Sequence, residues 1–183
     1  MTILHIDSSI SGENSASRAI SRSIVDQLRA LNPAARLVPR DLVSEPLPHL
    51  TLDAFADSSV LDEFLAADTV VIGAPMYNFT LPTQLKAWLD RILVAGKTFR
   101  YTANGPEGLA GGKRVIVALA RGGCYDAGSP ASALEHLETY LRGVFNFIGI
   151  EPEFVAADGL AIGPEQREQS ISQALGQTTR LAA

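Results

Sequence analysis

Three short segments contain residue types that could bind a phosphorylated, planar ligand. The first, residues 8–17, contains Ser9, Ser15 and Ser17 and leads into a helical pattern. A helix N-terminus has unpaired N–H groups and a partial positive charge, so together with these hydroxyl groups it suits a phosphate monoester. The alternative is that Ser15 or Ser17 simply caps the helix. The segment has neither the Gly-Lys-Ser/Thr of a P-loop nor a G-x-G-x-x-G pattern, which weakens ATPase and Rossmann interpretations.

The second segment, residues 73–79, follows a strongly apolar strand pattern and contains Met76, Tyr77, Asn78 and Phe79. Two aromatic rings and a methionine at the ligand end of a sheet offer a flat apolar surface. A planar ring such as the isoalloxazine of a flavin could lie there, with loop N–H groups at its edge. The alternative is that Tyr77 and Phe79 only pack against the core.

The third segment is Ala120-Arg121-Gly122-Gly123. Paired glycines allow the backbone to approach a ligand closely. An ordinary strand-to-helix turn is the alternative interpretation. The segment is a candidate because the expected sheet order puts it beside residues 73–79.

The cysteine and histidine residues give no metal-ligand pattern. No pair among His5, His49 and His136 has ligand spacing, so we expect no metal site. Cys124 has no His or Asp placed to activate it, and we interpret it as a loop residue rather than a nucleophile. A single cysteine cannot form an internal disulfide, which favours a reducing compartment.

Charge and hydropathy exclude several classes of partner. The formal net charge is -5 at pH 7 and the pI is about 5.2, without a basic stripe, so we expect no nucleic-acid partner. The first residues lack the basic start and long apolar core of a signal peptide, and no apolar run reaches membrane-spanning length. We therefore expect a cytoplasmic protein without a membrane partner.

The elements that must position these segments alternate between strand and helix patterns five times. Apolar runs predict strands at residues 3–6, 37–39, 69–72, 115–119 and 154–156. Helical spacing predicts helices at residues 20–31, 61–65, 82–93, 134–145 and 164–181, with a loop over residues 98–112. This alternation implies a single α/β domain over residues 1–183, with a parallel sheet and helices on both faces. In such sheets the ligand lies beyond the carboxyl ends of the strands, so the three segments should meet there.

Several segments occur together in a specific order: residues 74–79, 84–86, 98–101, 104–108, 121–123, 147–149 and 163–165. Their combination resembles the FMN-dependent NADH-azoreductases, also described as NADH:quinone oxidoreductases, and the resemblance spans nearly the whole chain. It implies a three-layer flavodoxin-like α/β fold with a five-stranded parallel sheet in the order 2-1-3-4-5. It also implies FMN as cofactor, NADH or NADPH as electron donor, and a homodimer with both active sites at the subunit interface.

The resemblance also implies roles for individual residues. Those that would bind FMN are Ser9, Ser15, Ala16 and Ser17 at the phosphate, Met76, Tyr77, Asn78 and Phe79 at the flavin ring, and Ala120, Arg121, Gly122 and Gly123 at its pyrimidine end. On the substrate side, the aromatic residues would be Phe79, Tyr101 and Phe147. The sequence departs from the family at Ala16, where glutamine is frequent, and at Ala120, where serine or threonine is frequent. The connection between the second and third strands is also short for the family.

In the mechanism that the resemblance implies, NAD(P)H passes a hydride to flavin N5, and a quinone or azo compound then takes its place in a ping-pong sequence. We expect no catalytic side chain, because water can supply the protons. A donor near N5 is assigned to the backbone N–H of Asn78, and positive potential near N1 and O2 to the amides of Gly122 and Gly123. A flavodoxin-type electron carrier and a domain that has lost its cofactor are alternatives, whereas a hydrolase lacks support because no G-x-S-x-G motif occurs.

Overall fold

Five parallel strands form the central sheet of the computed structural model, which describes residues 1–181. The sheet strands are β1 (Thr2–Asp7), β2 (Arg36–Asp41), β3 (Thr69–Pro75), β6 (Arg114–Ala120) and β7 (Glu153–Ala157). Two shorter strands, β4 (Phe99–Thr102) and β5 (Gly105–Gly108), pair as a separate antiparallel hairpin. The helices are α1 (Ala16–Leu31), α2 (Leu52–Phe55), α3 (Ser59–Ala66), α4 (Thr83–Ile92), α5 (Glu138–Phe147) and α6 (Pro164–Leu181). The last two residues of the expected domain, 182 and 183, lie outside the described part.

The order of the sheet strands confirms the predicted topology. Along the sheet the strands run β2-β1-β3-β6-β7, which is 2-1-3-4-5 when only the sheet strands are counted. The order reverses between β1 and β3, so the loops that follow these two strands diverge from neighbouring positions. Pro39 lies in β2 at the edge of the sheet, where a missing backbone N–H is tolerated.

Two apolar layers hold the helices against the sheet. Val71 of β3 belongs to the layer that contains Ile24 of α1 and Ala174 of α6. Val70, next to it in the strand, belongs to the opposite layer, which contains Trp88 of α4. Successive side chains of a strand point to opposite faces, so β3 contributes to both layers, and all of its residues are buried.

All five predicted strands and all five predicted helices occur, with some shifted bounds. The fourth predicted helix begins later than expected, at Glu138, and Leu134 lies in a preceding 3-10 turn. The reason is the Glu135 carboxylate, which accepts hydrogen bonds from the backbone N–H groups of Leu137, Glu138 and Thr139 at 3.0, 2.8 and 2.9 Å. This carboxylate therefore satisfies the free N–H groups of the first turn and fixes where the helix starts.

The segment at residues 98–112, which we predicted as a loop, instead forms the β4–β5 hairpin. The hairpin packs backbone to backbone against the end of α5, because Ala110 N donates to the Ile148 carbonyl at 2.9 Å. A Cβ added to Gly108 would lie 2.1 Å from Gly149 N, so only glycine permits this approach. The hairpin and the end of α5 thus form one rigid unit.

Among residues 1–181, no helix combines the length and the apolar character that crossing a membrane would require.

Candidate functional site

The loops that follow β1, β3 and β6 meet at the carboxyl edge of the sheet. The Tyr77 hydroxyl, after β3, lies 3.2 Å from Ser9 Oγ and accepts a hydrogen bond from Ile10 N at 3.1 Å. Met76 N donates to the Ala120 carbonyl at the end of β6, at 2.8 Å. Two adjoining cavities, of about 120 and 610 Å³, lie between these loops and share Met76 and Tyr77 in their walls. The loops after β1 and β3, together with Ala120 at the end of β6, therefore form one elongated site.

The smaller cavity lies at the N-terminus of α1. Ser15 is the N-cap of this helix, because its Oγ accepts a hydrogen bond from Arg18 N at 3.3 Å. The Ser17 hydroxyl is buried and lies 3.1 Å from Ser15 Oγ, beneath the cavity rather than in its wall. Ser9 and Ala16 line the cavity, and the backbone N–H groups of the first turn have no acceptor within the helix. Ser15 therefore caps the helix and lines the cavity at the same time, so the two interpretations of this residue do not exclude each other.

An arginine holds this loop from the side away from the cavity. The Arg18 guanidinium donates to the Ser9 carbonyl at 2.9 and 3.2 Å and to both carboxylate oxygens of Asp41 at 2.8 Å. The hydrogen bonds from Arg18 hold the pKa of Asp41 below its ordinary value. Asp7 lies 3.5 Å from the same guanidinium, so two carboxylates face this positive charge.

A histidine lies behind the same loop. His5 Nε2 is 2.9 Å from Ser21 Oγ, and the Ser21 hydroxyl donates to Asp7 at 3.1 Å. Burial lowers the pKa of His5, against the opposing effect of Asp7. The imidazole therefore favours its neutral form, and it belongs to the support of the loop rather than to the cavity wall.

A strained turn lies beside the larger cavity. Asn78 and Phe79 both have positive φ, +48° and +73°, and Tyr77 and Thr80 exchange two backbone hydrogen bonds around them, at 2.9 and 3.2 Å. Positive φ is costly for non-glycine residues, above all for a bulky one such as phenylalanine. His136 compensates from a distant loop, because its N–H donates to the Phe79 carbonyl at 3.0 Å and its carbonyl accepts from Thr80 Oγ1 at 3.2 Å.

The larger cavity has an almost uncharged wall. Its lining consists of Ile10, Met76, Tyr77, Asn78, Thr80, Leu81, Pro82, Thr83 and Gln84. Phe79 does not belong to this lining, and its ring is 44% exposed at the rim. Such a wall suits a flat, largely apolar ring whose polar edge meets backbone groups.

The third loop offers backbone groups rather than a charged side chain. The Arg121 guanidinium is buried and turned away, with bonds of 2.5 and 2.7 Å to Asp158 and 3.3 Å to Glu138. Burial works against the charge of Arg121, but these carboxylates outweigh it and its pKa is raised. Within residues 1–181 the N–H groups of Gly122 and Gly123 have no acceptor. These two amides therefore have unused hydrogen-bonding capacity, and neither glycine lines the two cavities.

Two of the aromatic residues expected on the substrate side do not lie at this site in the same chain. Tyr101 and Phe147 both stack on Phe99, with ring centroids 5.6 and 4.6 Å away, where the hairpin meets α5. Tyr101 is 76% exposed. Neither residue lines the two cavities at the sheet edge. Cys124 is exposed, and no group of metal-ligating side chains occurs in the described residues.

Sequence reasoning missed several residues of the cavity walls. Ser11 and Asn14 line the smaller cavity and belong to a loop that had been singled out, so only their individual roles were missed. Leu160 and Arg167 line it from the far end of the chain. Nothing in the local sequence signals their placement, because it results from tertiary contacts. Arg167 belongs to α6, which packs on α1, and Leu160 N donates to the Arg121 carbonyl at 3.1 Å.

Sheet order and the position of the site define a flavodoxin-like α/β protein with a ligand site at the carboxyl edge of its strands. A family model described as flavodoxin-like fold matches residues 1–181. An FMN-dependent NADH:quinone oxidoreductase of Bradyrhizobium diazoefficiens is 57% identical over 201 aligned positions that cover 100% of both chains. The chain belongs to the family of FMN-dependent NADH:quinone oxidoreductases.

Solved structures agree with this assignment. An azoreductase from Bacillus anthracis strain Sterne superimposes with a TM-score of 0.91 at 29% identity, over 100% of this chain and 98% of that chain. An FMN-dependent NADH-azoreductase from Bacillus anthracis strain Ames Ancestor, solved in complex with FMN, superimposes with a TM-score of 0.85 at 25% identity and covers 100% of both chains. The fold predicted from the sequence is therefore confirmed.

Proposed function

We propose that this chain, acting as one domain over residues 1–183, is an FMN-dependent oxidoreductase. It takes electrons from NADH or NADPH and passes them to quinones, and it also cleaves aromatic azo compounds. The observation that carries the proposal is that two different cavities adjoin and form one site. The smaller cavity is lined by hydroxyl groups at a helix N-terminus, and the larger cavity is lined by apolar groups and amides. The names of the similar proteins support the same activity.

The residues of the smaller cavity fit a phosphate monoester. Ser9 and Ser15 bring hydroxyl groups, and Ala16 begins a helix of 16 residues whose N-terminus attracts anions. The Tyr77 hydroxyl reaches the same loop. These groups would hold the phosphate of FMN, and Ser17 would act beneath them by fixing the position of Ser15.

The residues of the larger cavity fit a planar ring. Met76, Tyr77 and Asn78 would carry the ring, while Ala120 and the amides of Gly122 and Gly123 would border its pyrimidine end. We assign Arg121 a supporting role, because Asp158 and Glu138 already hold its guanidinium and only its backbone is left to border the ring. Phe79, exposed at the rim, would contact the substrate.

FMN, when bound, supplies an N5 atom that accepts a hydride from a nicotinamide and returns it to an acceptor. The chain binds and orients this group, with the Asn78 N–H assigned to the N5 edge. Within the described residues of this chain, no carboxylate, imidazole or amine lines the larger cavity, and we assign the protons to solvent. Donor and acceptor would share one open face and therefore bind in turn, which is a ping-pong sequence.

The decisive experiment is the visible spectrum of the purified or FMN-reconstituted protein, recorded under anaerobic conditions. We expect oxidised-flavin bands that bleach on addition of NADH or NADPH and return when a quinone such as menadione is added. A protein that takes up no FMN would refute the proposal. Bound flavin that no nicotinamide can bleach would instead favour an electron carrier of the flavodoxin type.

We also propose that the protein acts as a cytoplasmic homodimer in which each chain completes the site of its partner. The support is the position of Tyr101 and Phe147, which form an aromatic group with Phe99 away from their own chain's cavities. A tyrosine of this hairpin that is 76% exposed is well placed to reach a neighbouring subunit. In this arrangement Tyr101 and Phe147 would contact the quinone and not the flavin phosphate.

Substituting Tyr101→Ala should raise the KM for quinone about tenfold, the size of effect expected when a contact aromatic is truncated. The Kd for FMN should stay unchanged, because no group of the two cavities is touched. Tyr101→Phe keeps the ring and should behave like the wild type. Equal losses in FMN affinity and quinone affinity would contradict this role.

A mixed dimer tests which chain Tyr101 serves. A Tyr101→Ala subunit is paired with a subunit that cannot bind FMN, such as one carrying Asn78→Pro. The single remaining flavin site then receives an intact Tyr101 only from the partner subunit, and its quinone KM should equal that of the wild type. A KM as high as that of the Tyr101→Ala homodimer would show that Tyr101 serves its own chain.

A further inference from the structure

A second arginine approaches the phosphate end of the site from the opposite end of the sequence. Arg167 lies near the start of α6 and is half-buried. Its Nη2 donates to the Asn14 carbonyl at 2.8 Å, across 153 positions of sequence. Its side chain lines the 120 Å³ cavity together with Ser9, Ser15 and Ala16.

Arg167 differs from the other arginines near this loop in its charge partners. Arg18 lies behind the loop, and Asp41 and Asp7 compensate its charge. Arg22 lies 3.8 Å from Glu13 in an exposed pair. Within residues 1–181, no carboxylate lies within ion-pair distance of Arg167. Among the same residues, its guanidinium donates only to the neutral carbonyl of Asn14. Arg167 therefore brings an uncompensated positive charge to the cavity wall.

Without Arg167, the positive charge at the cavity would not balance the charge of a phosphate monoester. Such a group carries about -1.5 to -2 charges near pH 7. A helix N-terminus offers roughly half a positive charge, and hydroxyl groups add donors but no charge. A guanidinium has five N–H donors in a planar fork that matches phosphate oxygens, so the bond to Asn14 leaves several of them free.

We propose that Arg167 is the cation that recognises the phosphate of the flavin in this chain, and that it sets the preference for FMN over riboflavin. The proposal rests on the proposed function. It assigns to the C-terminal helix a direct part in cofactor selection. The bond to Asn14 then has a second purpose, because it holds the guanidinium beside the loop before the ligand arrives.

The test compares the binding of FMN and riboflavin to apoprotein, followed by quenching of flavin fluorescence. Arg167→Gln should weaken FMN about 10- to 100-fold, the usual range for losing a hydrogen bond to a charged group. Riboflavin, which lacks the phosphate, should bind within about twofold of the wild type. Arg29→Gln removes an equal charge from an exposed position of α1 outside the site and should change neither affinity.

Two further measurements separate recognition of the phosphate from anchoring of the loop. Arg167→Lys keeps the charge and should retain most of the FMN preference, and the salt dependence of FMN affinity should be shallower in Arg167→Gln than in the wild type. If Arg167→Gln weakens FMN and riboflavin equally, Arg167 only anchors the loop and the proposal is wrong. An unchanged FMN affinity in Arg167→Gln would overturn it as well.

Failure of the proposed function gives a different result. In that case the wild type binds neither flavin, whereas failure of the present inference alone leaves the wild-type affinity for FMN intact. Inorganic phosphate allows a test that does not depend on flavin binding. It should raise the melting temperature of wild-type apoprotein more than that of Arg167→Gln, and equal shifts in the two proteins would count against a phosphate-binding role.

Discussion

Replacing Asn78 by proline is expected to abolish FMN binding, with an affinity at least about 100-fold below that of the wild type. Proline fixes φ near -65°, whereas Asn78 has a φ of +48°. The substitution also removes the backbone N–H that we assign to the N5 edge of the flavin. Both effects act on the turn beside the larger cavity, so the ring surface and its polar contact are lost together. Fluorescence titration of the apoprotein with FMN measures the loss.

Asn78→Gly is the matched control, since glycine accepts positive φ without strain and keeps the N–H. It should bind FMN as well as the wild type, and it should unfold with equal or slightly higher stability. Far-UV circular dichroism and the melting temperature must show that Asn78→Pro still folds. Normal flavin binding or turnover in folded Asn78→Pro would refute the role of this N–H.

Gly108→Ala is expected to destabilise the protein by roughly 3 kcal/mol, at the upper end of the range for overpacking. Its Cβ would lie 2.1 Å from Gly149 N and 2.2 Å from the Ile148 carbonyl carbon. Both are backbone atoms, so no side-chain rotation relieves the clash, and the hairpin must move off the end of α5. Urea or thermal unfolding measures the change in the free energy of unfolding.

Gly176→Ala provides the comparison for this substitution. An added Cβ at Gly176 meets nothing within 4 Å, and alanine favours a helix interior over glycine, so a gain of about 0.5–1 kcal/mol is expected. FMN affinity should survive in folded Gly108→Ala, because the hairpin does not line the two cavities. Quinone turnover should fall, because the hairpin carries Tyr101. Wild-type stability in Gly108→Ala would contradict the tight backbone contact.

The strands of the sheet were readable from the sequence because burial on both faces leaves a strong pattern, whereas their order came from the resemblance to a known family. The run Thr69-Val-Val-Ile is uninterrupted, and all of β3 is covered by helices on both sides. The hairpin was missed although Asn104-Gly105 is a strong turn signal between short strands. Its strands are only four residues long and mostly exposed, so the alternating apolar pattern that identifies a strand is nearly absent.

The parts of the site that sequence reasoning could not predict depend on tertiary contacts. From the sequence, the side chain of Arg121 could equally have faced a ligand. In the structure, Asp158 and Glu138 bind its guanidinium and turn it away from the site. The positive φ values of Asn78 and Phe79 were hidden as well, because no glycine marks them. Bonds from His136, far along the chain, hold that turn, which agrees with the general placement of backbone strain at functional sites.

The Tyr77 hydroxyl accepts a hydrogen bond from Ile10 N and lies within hydrogen-bond distance of Ser9 Oγ. These contacts join the loops after β1 and β3 through groups of the chain itself. A change in either loop is therefore transmitted to the other, and the phosphate end and the ring end of the site behave as one coupled unit.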